Sequence, residues 1–371
     1  MQHKAFFNAI LNHFSMHPAR IEIMIDMIFA LIKVGNVQQH KIAQGTKSKV
    51  KTTSIVRRIQ RFFEKETLDQ GAVSKLIYSL FDWGEKITLI MDRTNWKFGI
   101  IDINFLVISG IYNNCAIPFF WVLLPHKGNS DYIFRIDLIK QLLNIIPKER
   151  INFLLADREF VGHEWFAYLQ ANGIPFCIRI KENMLIFDTR NGGRIQIKKR
   201  FGYIAFGQCR ETRQIIQGID LQIFVTMTKD GELLILAVSD DSDMSDAFQL
   251  YSSRWTIETM FKAFKTAGFN FEDTHQKNLD RLSKMMALLA IAYSWSIKIG
   301  KIKNLLKPIR LKKIDSKLYP EFSLFGYGFR TMQTILLKGA SHVQGKLFKL
   351  IDKILLNKPF SKGLANATVV Y

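Results

Sequence analysis

Cysteine is scarce in this sequence. Cys115, Cys177 and Cys209 are the only three among 371 residues, and no two form a C-x-x-C pair, so neither a disulfide framework nor a thiolate zinc site is expected. That usage suits a reducing cytosol. Long uninterrupted apolar runs are scarce too. Met1 to His17 holds no continuous apolar stretch followed by a small-residue cleavage site, and Met285 to Ile297 is too short to span a bilayer. Phe105 to Leu124 is longer, but Asn113-Asn114 interrupts it with a pair suited to a tight hairpin turn. No membrane span is expected. His126, His163 and His275 lack metal-ligand spacing with one another, and no P-loop lysine follows Gly192-Gly193. Acidic residues are few: 32 Asp and Glu stand against 52 Lys and Arg, a net charge of +20 that favours a polyanionic partner. Charge alone leaves nucleic acid and acidic membrane surfaces both open.

What is present is a chain 48% hydrophobic, enough to bury a core. Helical periodicity covers Arg20 to Lys33 and then Val37 to Gln44, closed by Gly45. Thr46 to Arg61 is basic without an acidic residue, and Ile55, Ile59, Phe62 and Phe63 recur on one side of it. Residues 1–85 are therefore expected to form a helical DNA-binding region of helix-turn-helix type. Its recognition helix is Thr52 to Glu64, carrying Arg57, Arg58 and Arg61. An ordinary bundle with a solvated basic face is the other reading of the same pattern.

Between residues 86 and 180 the pattern is strand-rich. Ile87 to Met91 is a buried run ending at Asp92, with further strands at Phe98 to Gly110, Ala116 to Leu124, Asn152 to Ala156 and Ile174 to Ile180. Helices are expected at Asp131 to Ile145 and Gly162 to Asn172. Three strands, helix, strand, helix and strand is the order of a ribonuclease H-like α/β domain. Residues 181–242 read as an inserted β-rich subdomain, with a hairpin at Asp230-Gly231. The helical pattern resumes at Asp243, runs to about Gly268 and completes the catalytic domain by residue 300. Residues 301–371 read as a basic helical C-terminal region, with Lys307, Arg310, Lys312, Lys313 and Lys317 around Pro308.

Asp92 and Asp157 each end a buried strand, the edge at which α/β sheets form ligand sites. On neighbouring strands the two carboxylates would resist joint ionisation unless a cation lay between them, and Mg²⁺ or Mn²⁺ also binds phosphate oxygens. Either Asp taken alone also reads as a simple turn cap. A more specific pattern follows: Tyr251, Arg254, Glu258 and Lys265 stand at offsets of three, seven and fourteen. On one helix they share an arc of roughly 60° along about 21 Å. Leu250, Ile257, Phe261 and Phe264 form the adjacent apolar stripe. An i, i+4 pair of Glu258 with Lys262 is the bland alternative, and it leaves Tyr251, Arg254 and Lys265 unexplained.

These residues resemble the bacterial insertion-sequence DDE transposases, defined by a Tyr-x2-Arg-x3-Glu-x6-Lys signature. Asp157-Arg158-Glu159-Phe160 looks like that family's second-carboxylate motif, and Met91-Asp92-Arg93-Thr94-Asn95-Trp96 is similar to its first. The resemblance spans roughly Ile87 to Gly300. It implies that Asp92, Asp157 and Glu258 are catalytic metal ligands for two divalent ions, Mg²⁺ or Mn²⁺. It also implies that Tyr251, Arg254 and Lys265 contact DNA phosphates, with Lys262 beside them. Family members use a tryptophan of the insertion to stack on an unpaired base; no Trp lies between Lys181 and Asp240. The implied activity is cut-and-paste transposition: metal-dependent cleavage at terminal inverted repeats and strand transfer into target DNA, by a homodimer in the bacterial cytoplasm and nucleoid. The alternatives are a structure-specific nuclease or resolvase on the same fold and a transposase-derived DNA-binding protein without catalysis.

Overall fold

A computed structural model describes residues 10–46, 50–188, 190, 192–239, 244–314 and 317–338. Expectations for residues 1–9, 47–49, 189, 191, 240–243, 315–316 and 339–371 lie outside the described residues. The chain divides into two compact units: a sheet unit, Trp83–Asn95 with Asp102–Thr259, and a helical unit, Met1–Asp82 with Trp96–Ile101 and Met260–Tyr371.

The sheet unit begins with β1 (Ile87–Phe98), β2 (Ile101–Tyr112) and β3 (Cys115–Leu123). The β2–β3 turn is Asn113-Asn114 as expected, both residues holding positive φ (46° and 57°), the conformation of a two-residue hairpin loop. A helix, Tyr132–Leu143, leads to β4 (Ile151–Ala156), and a second, His163–Ala171, leads to β5 (Phe176–Arg179). Asp131 starts the first helix by accepting the Ile133 N–H at 3.0 Å. β1, β4 and β5 run parallel, whereas β2 and β3 are antiparallel. Buried from both faces, the parallel strands are near-continuous apolar runs: Leu89, Ile90, Met91, Leu154, Leu155 and Ala156 are all buried. This is the expected ribonuclease H-like α/β arrangement.

The β-rich stretch at 181–242 departs from a self-contained insertion. Only β6 (Leu185–Asp188) and β7 (Gly193–Gln196) pair as a separate ribbon, followed by a short helix, Ile197–Phe201. The longer strands β8 (Cys209–Ile216), β9 (Ile219–Met227) and β10 (Leu233–Val238) extend the central sheet, giving the order β3-β2-β1-β4-β5-β10-β9-β8. β10 pairs antiparallel with β5. It thereby covers the edge of a strand whose Phe176, Cys177 and Ile178 are buried and which would otherwise expose unpaired backbone.

In the helical unit, Pro18–Val34, Gln39–Gly45 and Thr52–Lys65 are the three helices expected near the start. Thr52–Lys65 buries Ile55, Ile59, Phe62 and Phe63 and leaves Arg57, Arg58 and Arg61 exposed. The long helix Leu279–Leu306 is apolar and long enough to cross a membrane by length and composition, yet 83% of its apolar window is buried within the protein, as in a core helix. It crosses Leu324–Lys338 closely: a Cβ on Gly328 would strike the Ser296 carbonyl, so only glycine fits there. The region after residue 301 is not helical throughout. Helix Leu279–Leu306 stops before Pro308, which lacks an N–H and blocks a helical turn. An antiparallel ribbon of β11 (Leu311–Ile314) and β12 (Lys317–Pro320) follows instead.

Candidate active site

The parallel ladder of β1 and β4 ends at the pair Met91 and Ala156. The next residue on each strand is Asp92 or Asp157, so the two carboxylates leave the sheet at the same level on strands about 4.8 Å apart. β1 does not stop at Met91, as its apolar run suggested. It continues to Phe98 because β2 stays beside it after β4 departs. The local geometry is the same at both sites: Asp92 Oδ1 accepts the Arg93 N–H and Asp157 Oδ1 accepts the Arg158 N–H, each at 2.7 Å. The Asp92 carboxyl is pushed up to about 6, first by burial and further by Glu159 and Asp157, against the opposing pull of Arg254 and the Arg93 N–H.

Arg254 joins this pair to the third carboxylate. Its Nη1 donates to Asp92 Oδ2 and its Nη2 to Glu258 Oε1, both at 2.8 Å. Burial works against the guanidinium's charge, but Tyr251, Asp92, Glu258 and Asp157 together hold its pKa above the ordinary value. The expected continuous helix is broken here. Met244–Ser252 gives way to a 3₁₀ turn, Ser253–Trp255, then to helix Thr256–Lys262 and a π-helical turn, Ala263–Ala267. The break falls where Ser252 donates to the Gln249 carbonyl at 2.6 Å and Thr256 to that of Ser253 at 2.8 Å. The stretch from Met244 to Ala267 is thus not one regular α-helix, and its Arg254–Glu258 step is an i, i+4 ion pair. Tyr251 keeps its ring 5.9 Å from the guanidinium carbon. Its hydroxyl is buried without a hydrogen-bond partner among the described residues, and burial raises its pKa.

A second clamp lies next to the first. Arg93 Nε and Nη2 grip Glu159 at 2.7 and 2.8 Å, and its Nη1 donates to Asn104 Oδ1 at 3.0 Å. Asn104 is itself buried and donates to the carbonyls of His126 and Gly128 at 3.2 and 3.1 Å. Arg135 Nη2 donates to the Glu159 carbonyl at 3.2 Å. Arg93 follows Asp92, and Glu159 lies two residues past Asp157, so this network ties together the two strand ends that carry the carboxylates. The sequence analysis places Glu159 in the second-carboxylate motif but assigns no role to Arg93, Asn104 or Arg135. The available signal was an arginine directly after the first Asp and a glutamate just after the second.

Asp92, Asp157, Tyr251, Arg254 and Glu258 thus belong to one unit. The other candidates belong to the helical unit: Lys265 pairs with Glu272 at 3.0 Å and lies 5.6 Å from the Trp96 ring, Lys262 is exposed, and Arg57, Arg58 and Arg61 line an exposed face. Trp255, overlooked in the sequence, is 64% exposed between Arg254 and Glu258. A cleft of about 380 Å³ opens beside β5, lined by Arg158, Arg179, Lys181 and Lys198 together with Glu182 and Glu232.

Among the described residues, no three His, Cys, Asp or Glu side chains are grouped as a metal site. The donor set nevertheless fits a hard divalent cation. It offers oxygen ligands only, Asp92 is held near Asp157 with a carboxyl that resists ionisation, and Asp92 and Glu258 already share one cationic group.

Residues 134–295 match the family model of the transposase DDE domain, a span that contains Asp157 and Glu258 and omits Asp92. The matched residues make up less than half of the chain. The chain is similar in structure to the piggyBac transposase in its synaptic complex with hairpin DNA, with a TM-score of 0.49 and 13% identity over 93% of this chain and 77% of that one. No curated protein matches the sequence.

Proposed function

We propose that this protein is a DNA transposase that cuts DNA at the ends of a mobile element and joins them to target DNA, with Asp92, Asp157 and Glu258 as the ligands of two Mg²⁺ or Mn²⁺ ions. Two such ions held there by Asp92, Asp157 and Glu258 would supply activation of the attacking oxygen and stabilisation of the leaving one. The protein's own residues hold the reacting groups. Asp92 and Asp157 anchor one side of the site from rigid strands, and Glu258 approaches from the helix. Arg254 moves its planar fork from the carboxylates to nonbridging phosphate oxygens, Tyr251 offers its buried hydroxyl to the same phosphate, and Lys265 and Lys262 add point charges along the strand. Trp255 stacks on an exposed base or sugar. No side chain serves as nucleophile. Arg57, Arg58 and Arg61 supply part of the salt-sensitive affinity for duplex DNA.

The observation that best supports this reading is the double bridge of Arg254 to Asp92 and Glu258, beside a ladder that ends where Asp92 and Asp157 begin. The signature favours a bacterial insertion sequence with terminal inverted repeats. Handling two DNA ends favours a homodimer on DNA, acting at the nucleoid. The test is incubation of the purified protein with a plasmid carrying the DNA that flanks its reading frame. The expected result is cleavage at inverted repeats and joining to target DNA in Mg²⁺ or Mn²⁺, abolished by EDTA; flanks left uncut with either ion would refute it.

A further inference from the structure

The ribbon β11–β12 is unlike the other strands among the described residues, because all eight of its residues are exposed. Leu311, Ile314, Leu318 and Tyr319 are 59%, 54%, 64% and 46% exposed. Two short strands are marginally stable in water by themselves, and apolar side chains left open on both faces call for an occupant. The register sorts the faces. Lys312 opposite Tyr319 and Ile314 opposite Lys317 make one; Leu311 opposite Pro320 and Lys313 opposite Leu318 make the other. Each face therefore combines apolar groups with at least one ammonium.

Charge selects the occupant. From Lys307 to Glu321 the sequence carries five cationic side chains against two carboxylates, Asp315 and Glu321. Glu321 pairs with Lys312 at 3.0 Å, but with Lys312 62% exposed this is a surface contact that a phosphate can replace at little cost. The dimensions agree with the charge. Four residues of strand extend about 13 Å, and the major groove of B-DNA, about 12 Å wide, admits a two-stranded ribbon.

We propose that β11–β12 is a DNA-binding arm that enters the major groove of duplex DNA, each face looking onto one phosphate-lined wall. Lys312, Lys313 and Lys317 contact phosphates or guanine edges, while Leu318, Ile314 and Tyr319 pack on sugars and thymine methyl groups. The proposal rests on the reading of the protein as a DNA transposase and adds to it a binding element separate from the carboxylate site.

The test uses the full chain and a 40-base-pair duplex from the DNA flanking its reading frame. The affinity of the wild type, of Lys312→Ala/Lys313→Ala/Lys317→Ala and of the corresponding triple Arg variant is measured across a salt series. Loss of three phosphate contacts should lower the slope of log affinity against log salt by about 2 to 3 and weaken binding roughly 10- to 100-fold at moderate salt, with Tm unchanged; the Arg variant should keep the slope. In dimethyl sulfate footprinting, the wild type should protect guanine N7 atoms in the major groove, and the Ala variant should lose that protection. An unchanged slope in the Ala variant, or protection confined to adenine N3 in the minor groove, would overturn the proposal. So would a change from dimer to monomer with DNA affinity intact, which would make the ribbon a contact between copies. A wild type that cleaves its flanking DNA alongside an unaffected Ala variant defeats the ribbon alone; a wild type that neither binds nor cleaves defeats the transposase reading with it.

Discussion

Arg254 and Arg93 hold carboxylates in the same unit with bonds of nearly equal length, 2.8 and 2.8 Å for one and 2.7 and 2.8 Å for the other, and their partners give them opposite tasks. Arg254 binds Asp92 and Glu258, two groups with the chemistry to take a metal, so its bonds compete with a metal ion and with a phosphate. Arg93 binds Glu159 and Asn104, and Asn104 is anchored in turn to two backbone carbonyls. That clamp has no competitor in the proposed reaction and fixes the strand ends. A short ion pair is thus a lock or a switch according to what its carboxylates do next.

The sharpest way to break this comparison is to remove each arginine in turn. Arg254→Ala should lower cleavage by about 100- to 1,000-fold, the usual cost of losing a charged donor aimed at a reacting phosphate or oxyanion. In the same variant without DNA, Mn²⁺ should bind more tightly than in the wild type, because the ion no longer competes with the guanidinium. Weaker Mn²⁺ binding, measured by calorimetry, would mean that Arg254 is structural like Arg93.

Arg93→Ala should act mainly on stability. It leaves Glu159, with a side chain 19% exposed, without its partner, which should cost about 2 to 4 kcal/mol in chemical denaturation. The swapped pair Arg93→Glu/Glu159→Arg should recover part of that loss. A variant as stable as the wild type would show that the clamp locks nothing.

The third expectation concerns pH. The Asp92 carboxyl is raised to about 6 from an ordinary 3.8. Its neutral form is therefore favoured by folding, and the stability it contributes is present at acid pH and lost as pH rises through about 6. In EDTA this component should amount to about 1 to 3 kcal/mol, and Asp92→Asn should remove it. Thermal scans at pH 5 and pH 7.5 in which wild type and variant change alike would contradict the assignment. The smallest effect belongs to the other unit. Arg57→Ala/Arg58→Ala/Arg61→Ala should weaken DNA binding about tenfold and flatten its salt dependence without moving Tm, since all three residues are exposed while Ile55, Ile59, Phe62 and Phe63 make the buried face. Equal affinity across the salt range would leave that face as ordinary solvated surface.

These contrasts also mark how far the sequence could be read. Asp92 and Asp157 were visible because each follows a buried apolar run, and Arg254 and Glu258 because a four-residue spacing survives a distorted helix. Local signals placed most strands and helices of the sheet unit within a few residues, including the Asn113-Asn114 turn. Long-range pairing was not legible. Arg93 meets Glu159 across 66 residues, and β10 finds β5 rather than a separate subdomain; neither is encoded in a local period. The helix break at Ser253–Trp255 is marked by neither a proline nor a glycine. The ribbon at Leu311–Pro320 was hidden by its brevity, since four-residue strands rich in lysine carry neither a clear alternation nor a hydrophobic run.

The central claim is that Asp92, Asp157 and Glu258 act as one unit in cutting DNA, and Glu258→Ala tests it most directly. Cleavage of the flanking-DNA plasmid by the purified variant should be compared with the wild type in Mg²⁺ and in Mn²⁺, with Tm and duplex affinity measured on the same preparations. The account predicts normal binding, a Tm close to the wild type and cleavage reduced by orders of magnitude, with no further loss when Asp92→Ala or Asp157→Ala is added. Near-normal cleavage by a folded, DNA-binding Glu258→Ala protein would contradict it.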